Sequence, residues 1–435
     1  MAQATRLTAR SPPRPMRAAT QDEKLQRLGQ ALARGNRFYR DRFAATAWSP
    51  GDPFDRAMLE RVPFTTKDDL VADQARFPPF GGNLGAPLSA FTRFHQTSGT
   101  TGSPLRWLDT PDSWRWWLLC WRHVLTTAGV TQNDRVLVAF SFGPFIGFWA
   151  AFEAVQELGA LAVPGGGLTS EQRLDTVDAL GITVVISTPT YALRLAEVAR
   201  DGGRDLAGGS VRITLHAGEP GASLPAVKAR LEAAWGARCV DHAGATEVGA
   251  WGVSCGVADH LHLNESEFLV EVVDPDTGAL RSGSAPVVEG ELVLTNLGRL
   301  ESPVIRYRTG DLVALSRAPC DCGRSTAFLP GGVRGRRDGM IVIRGVNVFP
   351  SAVENIVRQS DAVAEFEVHV GLRRQMREMA VQIEVDSTDP DGEATRLATR
   401  LRESLGLRAR VEVVPRGSLP RHELKARRFH VETGP

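Results

Sequence analysis

Gln96-Thr-Ser-Gly-Thr-Thr-Gly-Ser-Pro-Leu105 is a run of hydroxyls and glycines between two apolar stretches. Glycines let the backbone approach a ligand closely, and backbone N–H groups and Ser/Thr hydroxyls donate hydrogen bonds to phosphate oxygens. The run lacks the Lys-Ser/Thr pair that follows the glycines of a Walker phosphate loop. Taken alone, it also fits a flexible Ser/Thr/Gly linker, so its meaning depends on the rest of the chain.

Length, composition and charge limit what the chain can be. Its 435 residues exceed one ordinary hydrophobic core, so two or three domains are expected. The hydrophobic content of 43%, the charged content of 23% and the net charge of +1 give no reason to expect a nucleic-acid or membrane partner. The five cysteines do not form a disulfide framework, which predicts a reducing, cytoplasmic location.

The first residues differ in character from the rest of the chain. Residues 1–20 carry four arginines and three prolines but no acidic residue, and no apolar signal-peptide core follows them. This composition predicts a disordered basic tail over residues 1–20.

The next part of the chain alternates between helical and strand patterns. Helical spacing is expected over residues 21–43, Asp112–Thr127 and Phe148–Leu158. Short apolar runs between helical segments predict strands, at Val136–Phe140, Val184–Ser187, Ile213–Ala217 and Arg238–Asp241. This alternation predicts a parallel α/β architecture.

The pattern changes twice further along the chain. From Phe268 onward strands and turns predominate, which predicts a β-rich subdomain. Beyond Gly335 a strand–helix–strand–strand–helix–strand order predicts a small α+β domain with its own core. The expected fold is therefore α/β, with a large N-terminal domain over residues 21–335 and a small C-terminal domain over residues 336–435, joined by a hinge near Arg336–Gly339.

Six separated motifs now stand in order along the chain. They are Thr97-Ser-Gly-Thr-Thr-Gly102, Ala217-Gly-Glu-Pro220, Gly244-Ala-Thr-Glu247, Tyr307-Arg-Thr-Gly-Asp-Leu312, Gly335-Arg-Arg-Asp-Gly-Met-Ile-Val-Ile-Arg-Gly-Val-Asn-Val-Phe-Pro350 and Leu419-Pro-Arg-His-Glu-Leu-Lys-Ala-Arg-Arg428. This set resembles the adenylate-forming superfamily, and most closely its phenylacetate–CoA ligase branch. The resemblance covers roughly residues 60–430.

The resemblance implies a reaction in two steps. A carboxylate attacks the α-phosphate of ATP to give an acyl-adenylate and pyrophosphate, and a thiol, usually that of coenzyme A, then displaces AMP. Because negative charge gathers on phosphoryl oxygens, hydrogen-bond donors, Mg²⁺ and a cation should converge there. ATP, Mg²⁺ and coenzyme A are thus the implied cofactors.

The resemblance also implies roles for residues of the nucleotide site. Glu247 is expected to be catalytic as the Mg²⁺ ligand, since a hard cation prefers carboxylate oxygen. Asp311 is expected to accept hydrogen bonds from the ribose hydroxyls, and Arg336 to contact the ribose or a phosphate. The rest of the implied set contacts the β- and γ-phosphates (Ser98, Gly99, Thr100, Thr101 and Gly102, with Thr101 also catalytic), lines the adenine pocket (Gly218, Glu219, Pro220) or completes the nucleotide site (Gly244, Thr246).

The C-terminal domain is implied to be mobile. Lys425 is expected to be the catalytic cation of adenylation, since a compact charge on a flexible stem can reach a site from a moving domain. Asp338 is implied to be the hinge about which that domain rotates between the two half-reactions. Arg344, Gly345 and Asn347 are then expected near the channel for the thiol acceptor.

The cysteines suggest a second site. Cys255, Cys320 and Cys322 with His262 form a set of three thiols and an imidazole that is typical of structural zinc, with His260 as the alternative to His262. Some members of the branch carry a similar zinc-binding set. The spacing fits no standard finger pattern, so free thiols in a turn remain the other interpretation.

Three positions depart from the family pattern. Ser103 stands where most relatives have a lysine, and Gly339 where a second aspartate is common. Ala243 replaces a tyrosine that stacks on the adenine, and His242 or another ring is expected to substitute. These changes put nucleotide affinity and the second half-reaction in question without removing Glu247, Asp311 or Lys425.

Aromatic residues bear on the substrate. Phe140, Phe142, Phe145, Phe148 and Trp149 lie in the region that borders the acyl pocket in this superfamily, and Trp114, Trp117 and Trp121 lie on the preceding helix. Such density favours a planar aryl acid, although the tryptophans also fit simple core packing.

Three functions remain open at this point. The first is an aryl-carboxylate–CoA ligase. The second keeps adenylation but transfers the acyl group to a carrier-protein thiol or an amine, or activates nitrite to diazotise an aryl amine in secondary metabolism. The third is a nucleotide-binding regulatory protein without turnover. Because the branch is often dimeric, a homodimer is expected as one alternative for the oligomeric state.

Overall fold

The computed structural model describes residues 14–44, 46, 48–97, 104–140, 142–257, 259–281, 285–337, 339–343, 346–373, 376–422 and 426–432. The described helices are α1 (Arg14–Ala33), α2 (Arg37–Phe43), α3 (Arg56–Arg61), α4 (Lys67–Arg76), α5 (Pro111–Thr127), α6 (Ile146–Glu157), α7 (Ser170–Leu180), α8 (Pro189–Asp201), α9 (Pro225–Trp235), α10 (Pro350–Val357) and α11 (Pro390–Leu405). None of these helices combines the length and apolar character that crossing a membrane requires.

The strands fall into an N-terminal part and a C-terminal part. Those of the N-terminal part are β1 (Arg93–Gln96), β2 (Arg106–Asp109), β3 (Arg135–Val138), β4 (Leu161–Pro164), β5 (Val184–Ser187), β6 (Ile213–His216), β7 (Arg238–Ala245), β8 (Gly249–Ser254), β9 (His260–Leu263), β10 (Phe268–Val273), β11 (Val287–Asn296), β12 (Tyr307–Ser316), β13 (Phe328–Pro330) and β14 (Gly335–Arg336). Those of the C-terminal part are β15 (Ile341–Ile343), β16 (Val346–Val348), β17 (Val363–Arg373), β18 (Met376–Val385), β19 (Ala409–Val413) and β20 (Phe429–Val431).

One twelve-stranded sheet forms the centre of the N-terminal part, in the order β10-β11-β12-β13-β9-β8-β7-β6-β5-β3-β4 with β14 beside β12. The strands from β4 to β7 pair in parallel, whereas those from β8 to β14 pair antiparallel. This confirms the predicted α/β fold with a β-rich continuation. The parallel strands β3, β5 and β6 are buried on both faces, which explains why they read as continuous apolar runs.

Helix capping sets several boundaries near the phosphate loop. Thr66 and Asp69 form a capping box at the start of α4, and Thr110 caps α5 with Pro111 in its first turn. Within α5, Trp114, Trp117 and Trp121 are buried in the main apolar cluster, so this helix is core.

The N-terminal helices differ from the sequence-based expectation. The single helix predicted over residues 21–43 is divided, because the Asn36 side chain accepts from the N–H of Tyr39 and begins α2. Helix α1 (Arg14–Ala33) includes the last residues of the tail predicted over residues 1–20, and the disorder of that tail stays a prediction. Residues 1–13 lie outside the described residues.

The C-terminal part has its own core. A hairpin, β15–β16, precedes a four-stranded sheet in the order β19-β18-β17-β20, and α10 and α11 contact each other beside it. Its apolar cluster includes Phe366, Ile383 and Leu401. This architecture is the small α+β unit that the sequence predicts, whereas its mobility and the boundary between residues 335 and 336 stay predictions.

Candidate active site

Two of the predicted loops lie at one edge of the parallel sheet, and the strand that leads into a third predicted loop is tied to the same edge. The loop containing residues 217–220 follows β6, and the turn containing residues 244–247 closes β7, its parallel neighbour. The N–H of Gln96 donates to the carbonyl of Pro144 at 2.8 Å, which ties the β1–β2 hairpin to the loop after β3. Ligands of open α/β sheets bind beyond these carboxyl ends, so the edge is the candidate nucleotide site.

Glu247 is largely buried and has the surroundings expected of a residue that binds a cation. The residue is only 8% exposed. Among the described residues, none hydrogen-bonds to its carboxylate or forms an ion pair with it. A nearly buried carboxylate without a protein cation is costly unless a ligand neutralises it. The residue therefore fits the predicted Mg²⁺ ligand, and the metal itself stays a prediction.

A buried ion pair between Arg299 and Asp109 contacts the turn that contains Glu247. Arg299 and Asp109 are both 0% exposed, and the guanidinium donates to the two carboxylate oxygens at 2.8 and 2.6 Å. Arg299 Nη1 also donates to the carbonyl of Thr246 at 2.7 Å. Asp109 ends β2, the second strand of the hairpin that carries the Ser/Thr/Gly loop. The pair thus joins that hairpin to the turn before Glu247.

Asp311 and Arg336 lie opposite each other on neighbouring strands. They are register partners of β12 and β14, and Arg336 Nη1 is 3.2 Å from Asp311 Oδ1. Gly332 packs against the loop after β6, because an added Cβ there would lie 2.5 Å from Ser223 Oγ. This contact brings the chain before β14 beside the 217–220 loop. The segment four residues before Arg336 therefore lies beside the chain that follows the predicted adenine loop.

The adenine-loop residues are partly exposed, and one has a further contact. Gly218 and Pro220 are exposed, and Gly218 has a φ of 94°, which suits glycine. Glu219 accepts hydrogen bonds through its carboxylate from the N–H of Thr190 and the N–H of Ala426, both at 2.9 Å. Ala426 directly follows Lys425 in the sequence. The C-terminal part therefore reaches this edge of the sheet.

Several predicted residues lie outside the described residues. They are Ser98, Gly99, Thr100, Thr101, Gly102, Ser103, Asp338, Arg344, Gly345 and Lys425. Of the predicted acceptor-channel set, Asn347 is described; it is exposed on β16 and pairs with Val342 of β15. Gly244 is also exposed at the end of β7. The predicted roles of all these residues stay predictions.

His242 does not replace the missing adenine-stacking ring. It is 5% exposed, and its ring packs at 4.5 Å against that of Trp121. Since the carbonyl of Gly252 can only accept, His242 Nδ1 donates to it at 2.7 Å. Burial lowers the pKa of His242 to about 4, so the ring is neutral. The expectation that His242 stacks on adenine is therefore wrong.

The predicted acyl-pocket aromatics divide into two groups. The Phe148 ring stacks on that of Phe140, and the Phe142 ring packs edge-on against that of Trp149 at 4.9 Å. Phe142, Phe148 and Trp149 are half-buried, as are Phe145 and Phe152. These rings present apolar surface at the carboxyl end of β3, beside the phosphate-loop hairpin. The tryptophans of α5 are fully packed and offer no such surface.

The cysteine cluster has the donor set of a zinc site. The ligand atoms of Cys255, His262, Cys320 and Cys322 all lie within 4.8 Å of one another. His262 Nδ1 contacts the Thr326 hydroxyl at 3.0 Å, which leaves its Nε2, 3.3 Å from Cys322 Sγ, directed at the cluster. A hydrogen bond to the far ring nitrogen is usual for a metal-bound histidine. These residues fit zinc, which stays a prediction.

His260 lies at the margin of this cluster. Its Nδ1 is 3.4 Å from Cys320 Sγ, and its ring stacks at 4.2 Å on that of Phe328. The four-residue cluster contains His262 and not His260, which agrees with the preferred prediction from the sequence.

Known proteins resemble this chain over most of its length. The chain is 31% identical over 410 residues to the phenylacetate-coenzyme A ligase of Escherichia coli (strain K12), covering 89% of this chain and 88% of that protein. It is 30% identical to the phenylacetate-coenzyme A ligase of Thermus thermophilus, covering 94% and 95% respectively. The chain belongs to the phenylacetate–CoA ligase family. In addition, a family model for the AMP-binding enzyme C-terminal domain matches residues 345–431.

Solved structures add the arrangement of the two parts. A 2-hydroxyisobutyryl-CoA ligase in its postadenylation state matches this phenylacetate–CoA ligase family member with a TM-score of 0.89 and 28% identity, over 97% of this chain and 91% of that one. The same ligase in its thioesterification state, with coenzyme A bound, matches over the same shares with a TM-score of only 0.71. The present structure therefore matches the postadenylation-state structure of that ligase better than its thioesterification-state structure.

The sequence alone did not identify the Arg299–Asp109 pair. The two residues are separated by 190 positions, and neither belongs to one of the six motifs. The sequence does show that the charged residue Asp109 follows the phosphate loop, but it does not show which residue pairs with it.

Proposed function

We propose that this protein converts a small aromatic carboxylic acid, ATP and coenzyme A into an acyl-CoA thioester, AMP and pyrophosphate, through an enzyme-bound acyl-adenylate. The observation that carries the proposal is the identity of 30–31% to two phenylacetate-coenzyme A ligases over 89–94% of this chain. The adenylate-bound neighbour supports the intermediate.

The geometry of the site supports the first half-reaction. The Glu247 carboxylate, which has no hydrogen-bond or ion-pair partner among the described residues, suits a Mg²⁺ ion that would balance the charge on the phosphates of ATP. Asp311 and Arg336 would hold the ribose from the strand pair β12–β14, and Arg299 would keep the Glu247 turn in place. Catalysis of phosphoryl transfer depends mainly on such positioning and on charge stabilisation.

The half-buried aromatic rings favour an aryl acid over a short hydroxy acid. Phe142, Phe148 and Trp149 offer flat apolar faces, on which an aromatic ring gains both buried area and ring-packing energy. A hydroxy acid would instead need a polar partner for its hydroxyl group, as a buried polar group without one is costly.

Pyrophosphate release with a panel of aryl and short hydroxy acids tests this function. We expect release that depends on an aryl acid and on Mg²⁺, and a product with coenzyme A whose mass equals that of the thioester. Release without a thioester would point to another acceptor, such as a carrier-protein thiol or an amine. If no acid and no nitrite elicits release, the proposed function is wrong.

The structural role of zinc is a second, separate proposal for the Cys255–His262–Cys320–Cys322 cluster. The ion would be held by three thiolates and one imidazole and would fasten the turn after β12 to β8 and β9. Metal analysis of the purified protein should find one zinc per chain, and a protein free of zinc would contradict this.

A further inference from the structure

Glu219 connects the two parts of the molecule at the edge of the nucleotide site. One carboxylate oxygen accepts from the N–H of Thr190, in the first turn of α8, and the other accepts from the N–H of Ala426, in the C-terminal part. A negative charge is favourable at a helix N-terminus, so α8 fixes the orientation of the carboxylate. The second carboxylate oxygen of Glu219 is therefore already oriented to accept the hydrogen bond from the N–H of Ala426.

A second contact lies five residues before Ala426. Arg421 is held by Glu384 of its own part, with an Nη2–Oε2 distance of 2.6 Å, and Glu384 is buried. The same Nη2 is 3.3 Å from Oε1 of Glu197 on α8, whose other carboxylate oxygen pairs with Arg194. Because Glu384 fixes Arg421 in advance, little side-chain entropy is lost when Arg421 meets Glu197.

A third contact follows directly after Ala426. Arg428 is nearly buried and is fixed within the C-terminal part by Glu365 at 2.7 Å and Glu354 at 3.2 Å. Its Nη1 also donates to the Thr190 hydroxyl at 3.3 Å. Arg421 and Arg428 thus both contact α8, and Ala426 contacts Glu219 of the 217–220 loop.

The side-chain contacts described between the two parts are polar. The buried residues of the apolar clusters lie at residues 25–329 on one side and 341–407 on the other, and no described cluster contains residues from both. A cleft of 510 Å³ opens beside the Arg421–Glu197 contact. Polar junctions of this kind separate without exposing a large apolar area.

We infer that Glu219 and Glu197 are positioning residues for the adenylation half-reaction only. The contacts belong to the postadenylation arrangement, which the structure shares with its neighbour at a TM-score of 0.89 against 0.71 for the thioesterification state. They hold Arg421, Ala426 and Arg428 at the nucleotide edge during acyl-adenylate formation and are absent when the C-terminal part takes another position. This inference rests on the proposed function.

The test compares the two half-reactions in Glu219→Gln and Glu197→Gln. Single-turnover formation of acyl-adenylate is measured with saturating ATP and an aryl acid, and thioester formation is measured from supplied acyl-adenylate and coenzyme A. We expect the first rate to fall about tenfold in Glu219→Gln, which loses a charge-assisted hydrogen bond, and severalfold in Glu197→Gln. The second rate should be unchanged or higher. Glu412→Gln is the matched control, because Glu412 pairs with Arg410 of its own strand, β19, within the C-terminal part.

A second readout does not require turnover. Trypsin cleavage within residues 421–428 should be about tenfold faster in both junction variants than in Glu412→Gln, because the segment leaves α8 more often. If the wild-type protein shows no turnover but cleavage responds in this way, the proposed function fails and the positioning contacts stand. Equal slowing of both half-reactions, an effect confined to the KM for ATP, or unchanged cleavage would overturn the inference.

Discussion

Removing the Arg299 charge is the perturbation that tests most sharply how the site is supported. Arg299 and Asp109 are both 0% exposed, so Arg299→Met leaves a buried carboxylate without its cation. Breaking such a pair costs about 3–5 kcal/mol of unfolding free energy. Part of that cost comes from losing the cation–π contact of the guanidinium, which lies 4.7 Å from the centre of the Trp107 ring.

The cost should also depend on pH. Burial raises the pKa of Asp109, and Arg299 lowers it. In Arg299→Met the folded-state pKa rises further above the unfolded value of about 3.9, so the folded protein binds the proton more tightly. The contribution of Asp109 to stability is then fully present below the unfolded pKa and is lost as pH rises through the folded pKa. Urea unfolding should show a larger difference from wild type at pH 8 than at pH 5.

The double variant Arg299→Met/Asp109→Leu separates stability from function. Replacing a buried ion pair by apolar residues of similar size is often neutral or stabilising, so the unfolding free energy should return to within about 1–2 kcal/mol of wild type. The donor to the Thr246 carbonyl is still missing. Acyl-adenylate formation should therefore remain at least about tenfold slower, with a higher Mg²⁺ requirement.

Two results would refute this reasoning. A cost below about 1 kcal/mol for Arg299→Met, equal at both pH values, would mean that the pair does not act as a buried ion pair. Wild-type adenylation and Mg²⁺ dependence in the stable double variant would mean that Arg299 does not position the Glu247 turn.

Three further predictions concern other parts of the molecule. Cys322→Ser should lose the bound zinc, as measured by metal analysis, and lower the Tm by several degrees; unchanged metal content would contradict the cluster as a zinc site. Phe148→Ala should raise the KM for aryl acids about tenfold relative to short aliphatic acids, because an aromatic face is removed; an equal change for both classes would argue against an aryl pocket. Burial lowers the pKa of His216 from 6.5 to about 4, so the unfolded state takes up the proton first and stability falls as pH drops from 6.5 toward 4. His216→Asn should make that fall shallower by up to about 1.4 kcal/mol per pH unit in urea unfolding, and an identical slope would show that His216 is not linked to folding.

Much of the fold could be predicted because its signals are local. The apolar runs at Val184–Ser187 and Ile213–His216 are continuous since both faces of the parallel sheet are covered, and Thr66 and Thr110 mark helix starts through their own hydroxyls. Strand β4, Leu161–Pro164, was missed because this edge strand is largely exposed and runs into a series of glycines.

The site could be predicted only in part, because its remaining determinants are contacts between distant residues. The motifs identify Glu247, Asp311 and Arg336, but spacing does not reveal that Arg299 holds the carbonyl of Thr246. The burial of His242 against Trp121 likewise depends on how α5 packs on the sheet, not on the motif beside it.

The fate of the carboxylate oxygen tests the central claim most directly. An aryl acid labelled with oxygen-18 in its carboxylate is supplied with ATP, Mg²⁺ and coenzyme A, and the products are analysed by mass spectrometry. Attack of the carboxylate on the α-phosphate and release of AMP by the thiol predict one labelled oxygen in AMP and none in pyrophosphate. Label in inorganic phosphate or pyrophosphate, or unlabelled AMP beside a formed thioester, would contradict an acyl-adenylate.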